Sequence, residues 1–120
     1  MKVPAFLLRR LYVKGSLKTT SGGFEFQLRN RLGSGFARRL LPLTLDGDDL
    51  DMSRTTFNID GNPIAFDAVS KDTPFTLAMN KTTTIAYGGG ALAEGPHKIG
   101  MRFEVAGLGE LGFDFSDVIF

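Results

Sequence analysis

The chain predicts an all-β fold, an antiparallel β-sandwich of the jelly-roll or immunoglobulin-like kind with eight or nine short strands. Three observations carry that expectation. His97 to Phe115, HKIGMRFEVAGLGELGFDF, alternates apolar and other residues on both sides of a glycine-rich turn, so Ile99, Met101, Phe103 and Val105 share one face with Leu111, Phe113 and Phe115. That pattern is a β-hairpin lying on a core. Asp46-Gly47 and Asp60-Gly61 supply two Asp-Gly turn signals, which favour tight antiparallel hairpins. Eleven Phe stand against two Tyr and no Trp, and Phe suits a sheet interior because it buries area without a polar handle.

Taken in order, Val3 to Leu11 suits either a short helix with Pro4 in its first turn or an extended arm. Leu11 to Lys18 reads as a first strand with Leu11, Val13 and Leu17 inward and Gly15 as an irregularity. After the turn Ser21-Gly22-Gly23, FEFQLRN from Phe24 to Asn30 places Phe24, Phe26 and Leu28 inward and Glu25, Gln27 and Arg29 outward. RLGSGFARR from Arg31 to Arg39 suggests a loop or bulged edge. Leu40 to Leu45 returns to strand character, with Pro42 favouring an edge. Thr55-Phe57-Ile59 and Ile64-Phe66 flank the second Asp-Gly turn, and Phe75 to Asn80 and Thr82 to Tyr87 add two alternating segments. Gly88-Gly89-Gly90 and Glu94-Gly95-Pro96 bracket the connection into the last hairpin.

At 120 residues the expectation is a single domain over 1–120, with roughly two thirds of its unfolded surface buried. A net charge of +1 gives no reason to expect nucleic acid or an acidic membrane as partner. The absence of Cys excludes thiol catalysis, disulfides and zinc-thiolate sites. Neither a long apolar signal core nor a membrane-length run occurs, so a cytoplasmic protein is expected. The scarcity of Trp and Tyr argues against a free-standing carbohydrate-binding module, which relies on such rings at its surface.

Few residues could carry chemistry. DGDDLD, with Asp46, Asp48, Asp49 and Asp51, lacks the order of a helix-loop-helix calcium loop and reads as a solvated hairpin turn. His97 is the single histidine, so one chain builds neither a His-based metal cluster nor a His-His acid-base pair. At a strand start after Pro96, it reads as a partly exposed strand-edge residue. Ser34 and Ser70 lie outside any Gly-x-Ser-x-Gly elbow. Gly107, Gly109 and Gly112 match a bare G-x-G-x-x-G spacing, but inside a strand and not at the opening of a helix. No catalytic, cofactor-binding or metal-binding residue is therefore predicted.

Arg9-Arg10 and Arg38-Arg39, with Arg29 and Arg31 near the second pair, are cations that could clamp an anionic ligand or an acidic partner, or simply guard an exposed edge. Phe36, Arg38 and Arg39, and the terminal Val118, Ile119 and Phe120, are candidate partner contacts, and Pro74-Phe75 is another apolar possibility.

PLTLDGDDLDMSRTTFNIDGNPIAFD, the Thr-rich strand and GGGALAEGPHKIGMRFEV together resemble the small β subunits of bacterial C-glycoside deglycosidases. The likeness covers roughly Phe24 to Phe115 and rests on Leu45-Asp46-Gly47, on Phe57, Ile59 and Gly61, and on Leu92, Gly95, His97 and Ile99. The resemblance implies an antiparallel β-sandwich, itself non-catalytic and without cofactor, that supports a larger barrel-type, metal-dependent subunit of a carbon-carbon lyase complex. The opening VPAFLLRRLYVKGSLK is similar instead to short stand-alone bacterial and archaeal proteins named hydroxymethylglutaryl-CoA reductase. That name implies a multi-domain enzyme with Lys, Asp, Glu and His catalytic groups and a nicotinamide site, which this length and composition do not house. Two other readings stand beside the accessory subunit. One is a self-assembling homo-oligomeric binding or structural protein, pairing edges such as Leu40 to Leu45 across a two-fold axis. The other is a site between identical chains that uses His97.

Overall fold

Alternation and glycine placement build most of the observed elements. The computed structural model describes residues 3–33, 35–59, 61–70 and 72–119. Among these, the chain opens with α1 (Ala5–Leu8) and then forms β1 (Lys18–Thr19), β2 (Phe24–Arg29), β3 (Gly35–Leu40), β4 (Thr44–Leu45), β5 (Asp48–Asp49) and β6 (Thr55–Ile59). It continues with β7 (Asn62–Ala65), β8 (Phe75–Leu77), β9 (Thr82–Tyr87), β10 (Gly95–Val105) and β11 (Gly109–Ile119). Short 3-10 turns lie at Arg9–Leu11, Met52–Arg54 and Phe66–Ala68.

The strands form two antiparallel sheets over one core, the expected all-β sandwich. One sheet has the order β1-β2-β9-β6-β7, and the other runs β5-β4-β10-β3-β8 with β11 also paired to β10. The long β10 organises the second sheet. Along its whole length it pairs with β11, while β4 meets it at Ile99 and Gly100 and β3 at Phe103 to Val105. Phe24, Phe26, Leu28, Ile99, Met101, Phe103, Leu111, Phe113 and Phe115 are buried as the alternation requires. Aromatic contacts tie sheet to sheet: Phe26 meets Phe115 edge-on at 5.1 Å, and Phe57 meets Phe75 at 4.7 Å.

Turn chemistry follows the glycine signals. Asp46 (φ 51) and Gly47 (φ 96) both take the left-handed conformation of a two-residue hairpin, with Leu45 opposite Asp48. Ile59 and Asn62 are likewise opposed across Gly61, although Asp60 of that turn lies outside the described residues. Between β10 and β11, Gly107 and Gly109 have φ of 84 and 79.

Several expectations are corrected. Among the described residues eleven strands form where eight or nine were expected, because the two-residue β1, β4 and β5 are too short for any periodicity to reveal. Of the expected strand Leu11 to Lys18, only Lys18 enters one, at the start of β1. Gly15 (φ 84) bends the chain, and the Ser16 hydroxyl accepts from the Gln27 N–H where a ladder carbonyl would otherwise stand. The segment instead crosses from β2 to β11, with Tyr12 stacked on Phe115 at 3.6 Å. Residues 35–39, expected within a loop or bulged edge, join Leu40 in the bulged strand β3 inside the second sheet. Leu40 to Leu45 is broken around Pro42, which has no N–H for the ladder, and β4 is flanked on both sides by β5 and β10. It therefore offers no edge for pairing across a two-fold axis. Phe75 is buried in the core, so the Pro74-Phe75 contact is lost, and its strand ends at Leu77 before a left-handed Asn80.

The long edge of β11 is guarded. Arg9 Nε donates to the Asp114 carbonyl at 2.6 Å, and the Asp117 carboxylate accepts from the Gly15 and Val118 N–H groups. These contacts occupy backbone groups that another strand would need. Inside the core, Thr83 is 1% exposed and its hydroxyl has no hydrogen-bond partner among the described residues. Thr83→Val keeps the shape and removes a buried polar group, so denaturant unfolding should show stability unchanged or raised by up to about 1 kcal/mol.

Candidate functional site

At the end of the sandwich formed by the β2–β3 connection and the β10–β11 turn, the sheets leave an apolar cleft of about 270 Å³. Leu8, Leu11, Phe75, Leu77, Phe103 and Leu111 form its deeper walls. Leu32, 40% exposed, and Phe36, 52% exposed, also line it and carry apolar surface out to solvent. Their placement begins with Asn30, which follows β2 on its inward parity and is buried. The amide of Asn30 donates to Gly33 O at 2.6 Å and to Leu77 O at 2.8 Å. Its oxygen accepts from Leu32 N at 3.0 Å and Gly33 N at 3.2 Å. One side chain thus holds the turn carrying Leu32 and ties it to β8.

A bulge arranges the cations next to Phe36. Val105 is opposite Ala37 while Glu104 is opposite Arg39, so Arg38 is the extra residue of β3 and both arginines face outward. They share one carboxylate: Arg38 Nη2 lies 2.6 Å from Glu104 Oε1, and Arg39 Nη2 lies 3.1 Å from Oε2. Glu110 stands opposite Glu104 in the β10–β11 register. Of the two readings of Arg38 and Arg39, an anion clamp or charges that guard an edge, the structure shows the pair engaged by the Glu104 carboxylate of the same chain.

About 26 Å away along β10, at the other end, lies a polar constellation. His97 sits near the start of β10 with its side chain 13% exposed; β11 flanks it on one side, and on the other β4 reaches β10 only at Ile99 and Gly100. Its Nδ1 is 2.8 Å from Asp46 Oδ2, and its Nε2 is 2.8 Å from the Ala93 carbonyl. Asp46 Oδ1 accepts from Lys98 N at 2.8 Å. Hydrogen bonds from the Lys98 N–H and then from His97 hold the Asp46 carboxyl below the usual range, and the carboxylate in turn raises His97. Because Nε2 is tied to a carbonyl, the pair lacks the free nitrogen of an acid-base dyad. Nearby, Tyr12 donates to Asp117 at 2.6 Å, and burial followed by that bond pushes its hydroxyl up to about 12. The same bond lowers Asp117.

The predicted contact residues separate. Phe36, Arg38 and Arg39 gather near the cleft. Ile119 turns into the core and drops out as a surface contact, because the β11 alternation puts it inward. Val118 is exposed on the other face of β11, and Phe120, like Ser34, lies outside the described residues. The sequence reading missed Asn30 and Leu32 altogether. Asn30 had one usable signal, a polar residue in phase with Phe24, Phe26 and Leu28. It also missed that Asp46 and His97 are partners. The described residues hold no metal-binding cluster of His, Cys, Asp or Glu, and no helix among them is long and apolar enough to cross a membrane.

The family described as hydroxymethylglutaryl-CoA reductase, N-terminal domain, matches residues 7–120. The chain belongs to that family. No curated protein matches it. The reductase N-terminal-domain match bears out the resemblance seen in the opening segment and extends it over both ends of the sandwich, from Leu8 and Phe36 at the cleft to Asp46 and His97.

Proposed function

We propose that this chain is a non-catalytic accessory β-sandwich that docks a larger catalytic polypeptide with its apolar end. The observation that carries the reading is the cleft with Leu32 and Phe36 exposed at its mouth. Exposed apolar side chains gathered at the mouth of an apolar cleft are the kind of surface a partner can cover. Phe36 is the anchor, and the Arg38–Glu104–Arg39 cluster supplies a polar rim with spare N–H donors. Two likenesses support a companion role. The family is described as hydroxymethylglutaryl-CoA reductase, N-terminal domain, so a companion domain is one reading of it, and the Asp46-Gly47 and His97 motifs resemble the small subunit of C-glycoside deglycosidases. On the second likeness the partner is a metal-dependent subunit acting on C-glycosides or similar sugar conjugates.

Native mass of the chain, alone and co-expressed with its genomic neighbours, tests the reading. A stable complex with a larger catalytic chain supports it, and a discrete homo-oligomer that captures no neighbour replaces it with self-assembly. In the complex, Phe36→Asp should weaken association by about 2 kcal/mol, roughly thirtyfold in Kd, and leave the melting temperature unchanged. A sharp fall in melting temperature would make Phe36 part of the core and end its role as anchor.

A further inference from the structure

We propose that Asp46, His97 and the Ala93 carbonyl form a proton-operated clasp that holds the β9–β10 connection to the β4–β5 turn and releases it when the imidazole loses its proton. Both contacts of the ring, 2.8 Å to the Asp46 carboxylate and 2.8 Å to the Ala93 carbonyl, are to acceptors. A neutral imidazole has one N–H and an imidazolium has two, so only the cation satisfies both. On deprotonation the remaining proton stays toward the carboxylate, the stronger acceptor. Nε2 then presents a lone pair to the Ala93 oxygen at hydrogen-bonding distance, and that contact is the one lost. Asp46 keeps its bond to Lys98 N and stays in place.

Glycines with positive φ bound the segment that is set free. Gly90 (φ 144) and Gly95 (φ 112) flank it, and Gly88 N and Gly90 N are its backbone anchors, bonded to Arg54 O and Gly22 O. Leu92, packed on the core between them, is the apolar residue that release would loosen. The other charged groups around the ring are engaged elsewhere or set apart. Asp117, opposite in register, is bonded to Tyr12 and Gly15, and Lys14 acts on it. The Lys98 ammonium is directed to Asp114, Glu94 stands beyond Pro96 in the connection, and Asp48 is opposite Leu45 across the hairpin.

The pH window follows from the two directions. His97 is raised above its unfolded value of 6.5, so its contribution is full below 6.5 and is lost as pH rises through the raised folded value. Asp46 is lowered from 3.8, so its contribution is full above 3.8 and is lost as pH falls through the lowered value. The clasp is closed at both ends between those limits. It lies at the opposite end of the sandwich from the docking cleft and stands or falls without it.

An NMR titration between about pH 5 and 9 tests this, following the His97 ring nitrogens and the Ala93 carbonyl carbon. The expected result is a ring midpoint above 6.5, with the Ala93 carbonyl shift moving on the same midpoint. In Asp46→Asn, a substitution suited to the left-handed turn position, both midpoints should fall together. A ring midpoint at or below 6.5, or a flat Ala93 carbonyl shift while the ring titrates, would overturn the clasp. The unmodified chain distinguishes these outcomes even if the variant does not fold.

Discussion

Gly23→Ala is expected to destabilise the protein by about 3 kcal/mol and to lower its melting temperature by roughly 12 °C. A β-carbon at this position would overlap the Tyr87 carbonyl oxygen and stand 2.7 Å from its carbon. Both atoms are backbone, so no rotamer change relieves the overlap. β2 and β9 would have to separate where Phe24 pairs with Tyr87, at the head of the strand that carries Phe24, Phe26 and Leu28 into the core. The neighbouring glycine is the control. Nothing lies within 4 Å of a β-carbon at Gly22, so Gly22→Ala should be neutral or slightly stabilising. Thermal melts of both variants settle the matter. Equal effects would show that Gly23 is needed for turn flexibility and not for close approach.

Asn30→Asp should cost about 3 kcal/mol or more at neutral pH, although the two side chains have almost the same shape. The two amide donations to the Gly33 and Leu77 carbonyls would become a carboxylate oxygen facing carbonyl oxygens in a buried site. The introduced carboxyl then holds its proton more tightly folded than unfolded, so the loss should shrink as pH falls. Denaturant unfolding at neutral and acid pH reads both effects. A loss that is independent of pH would mean that the carboxylate has reached water and the wall around Asn30 has opened. The Leu32 and Gly33 N–H groups can still donate to the carboxylate, but the lost donations to the Gly33 and Leu77 carbonyls untie the turn of Leu32 from β8, so partner capture should weaken even where the fold survives.

The legible parts of this molecule are those whose information is local. Alternation in FEFQLRN and across the last hairpin assigns inward faces residue by residue, and Phe24, Phe26, Leu28, Ile99, Met101 and Phe103 are buried accordingly. Asp46-Gly47 identifies its own turn because few residue pairs tolerate positive φ twice in succession. The illegible parts depend on distant chain segments. RLGSGFARR looks like a loop, yet β8 and β10 recruit its second half into a sheet, and one bulge brings Arg38 and Arg39 onto Glu104, 66 residues away from Arg38. Leu11 to Lys18 looks like a strand until the Ser16 hydroxyl takes a ladder position.

The candidate site divides in the same way. Phe36 is the one aromatic residue in the glycine- and arginine-rich run RLGSGFARR and stands out without a fold, whereas Leu32 gains meaning only from the Asn30 bonds that place it at the cleft. The all-β class, the hairpins and the faces of the long strands were determined by the sequence alone, because side-chain period and turn stereochemistry act over a few residues. Which strands became neighbours, that β4 is enclosed and β11 guarded, and that Asp46 meets His97 across 51 residues were decided by the tertiary structure. Sheet pairing and hydrogen bonding between distant groups are set by how two faces pack over a common core, and no local stretch of chain encodes that by itself.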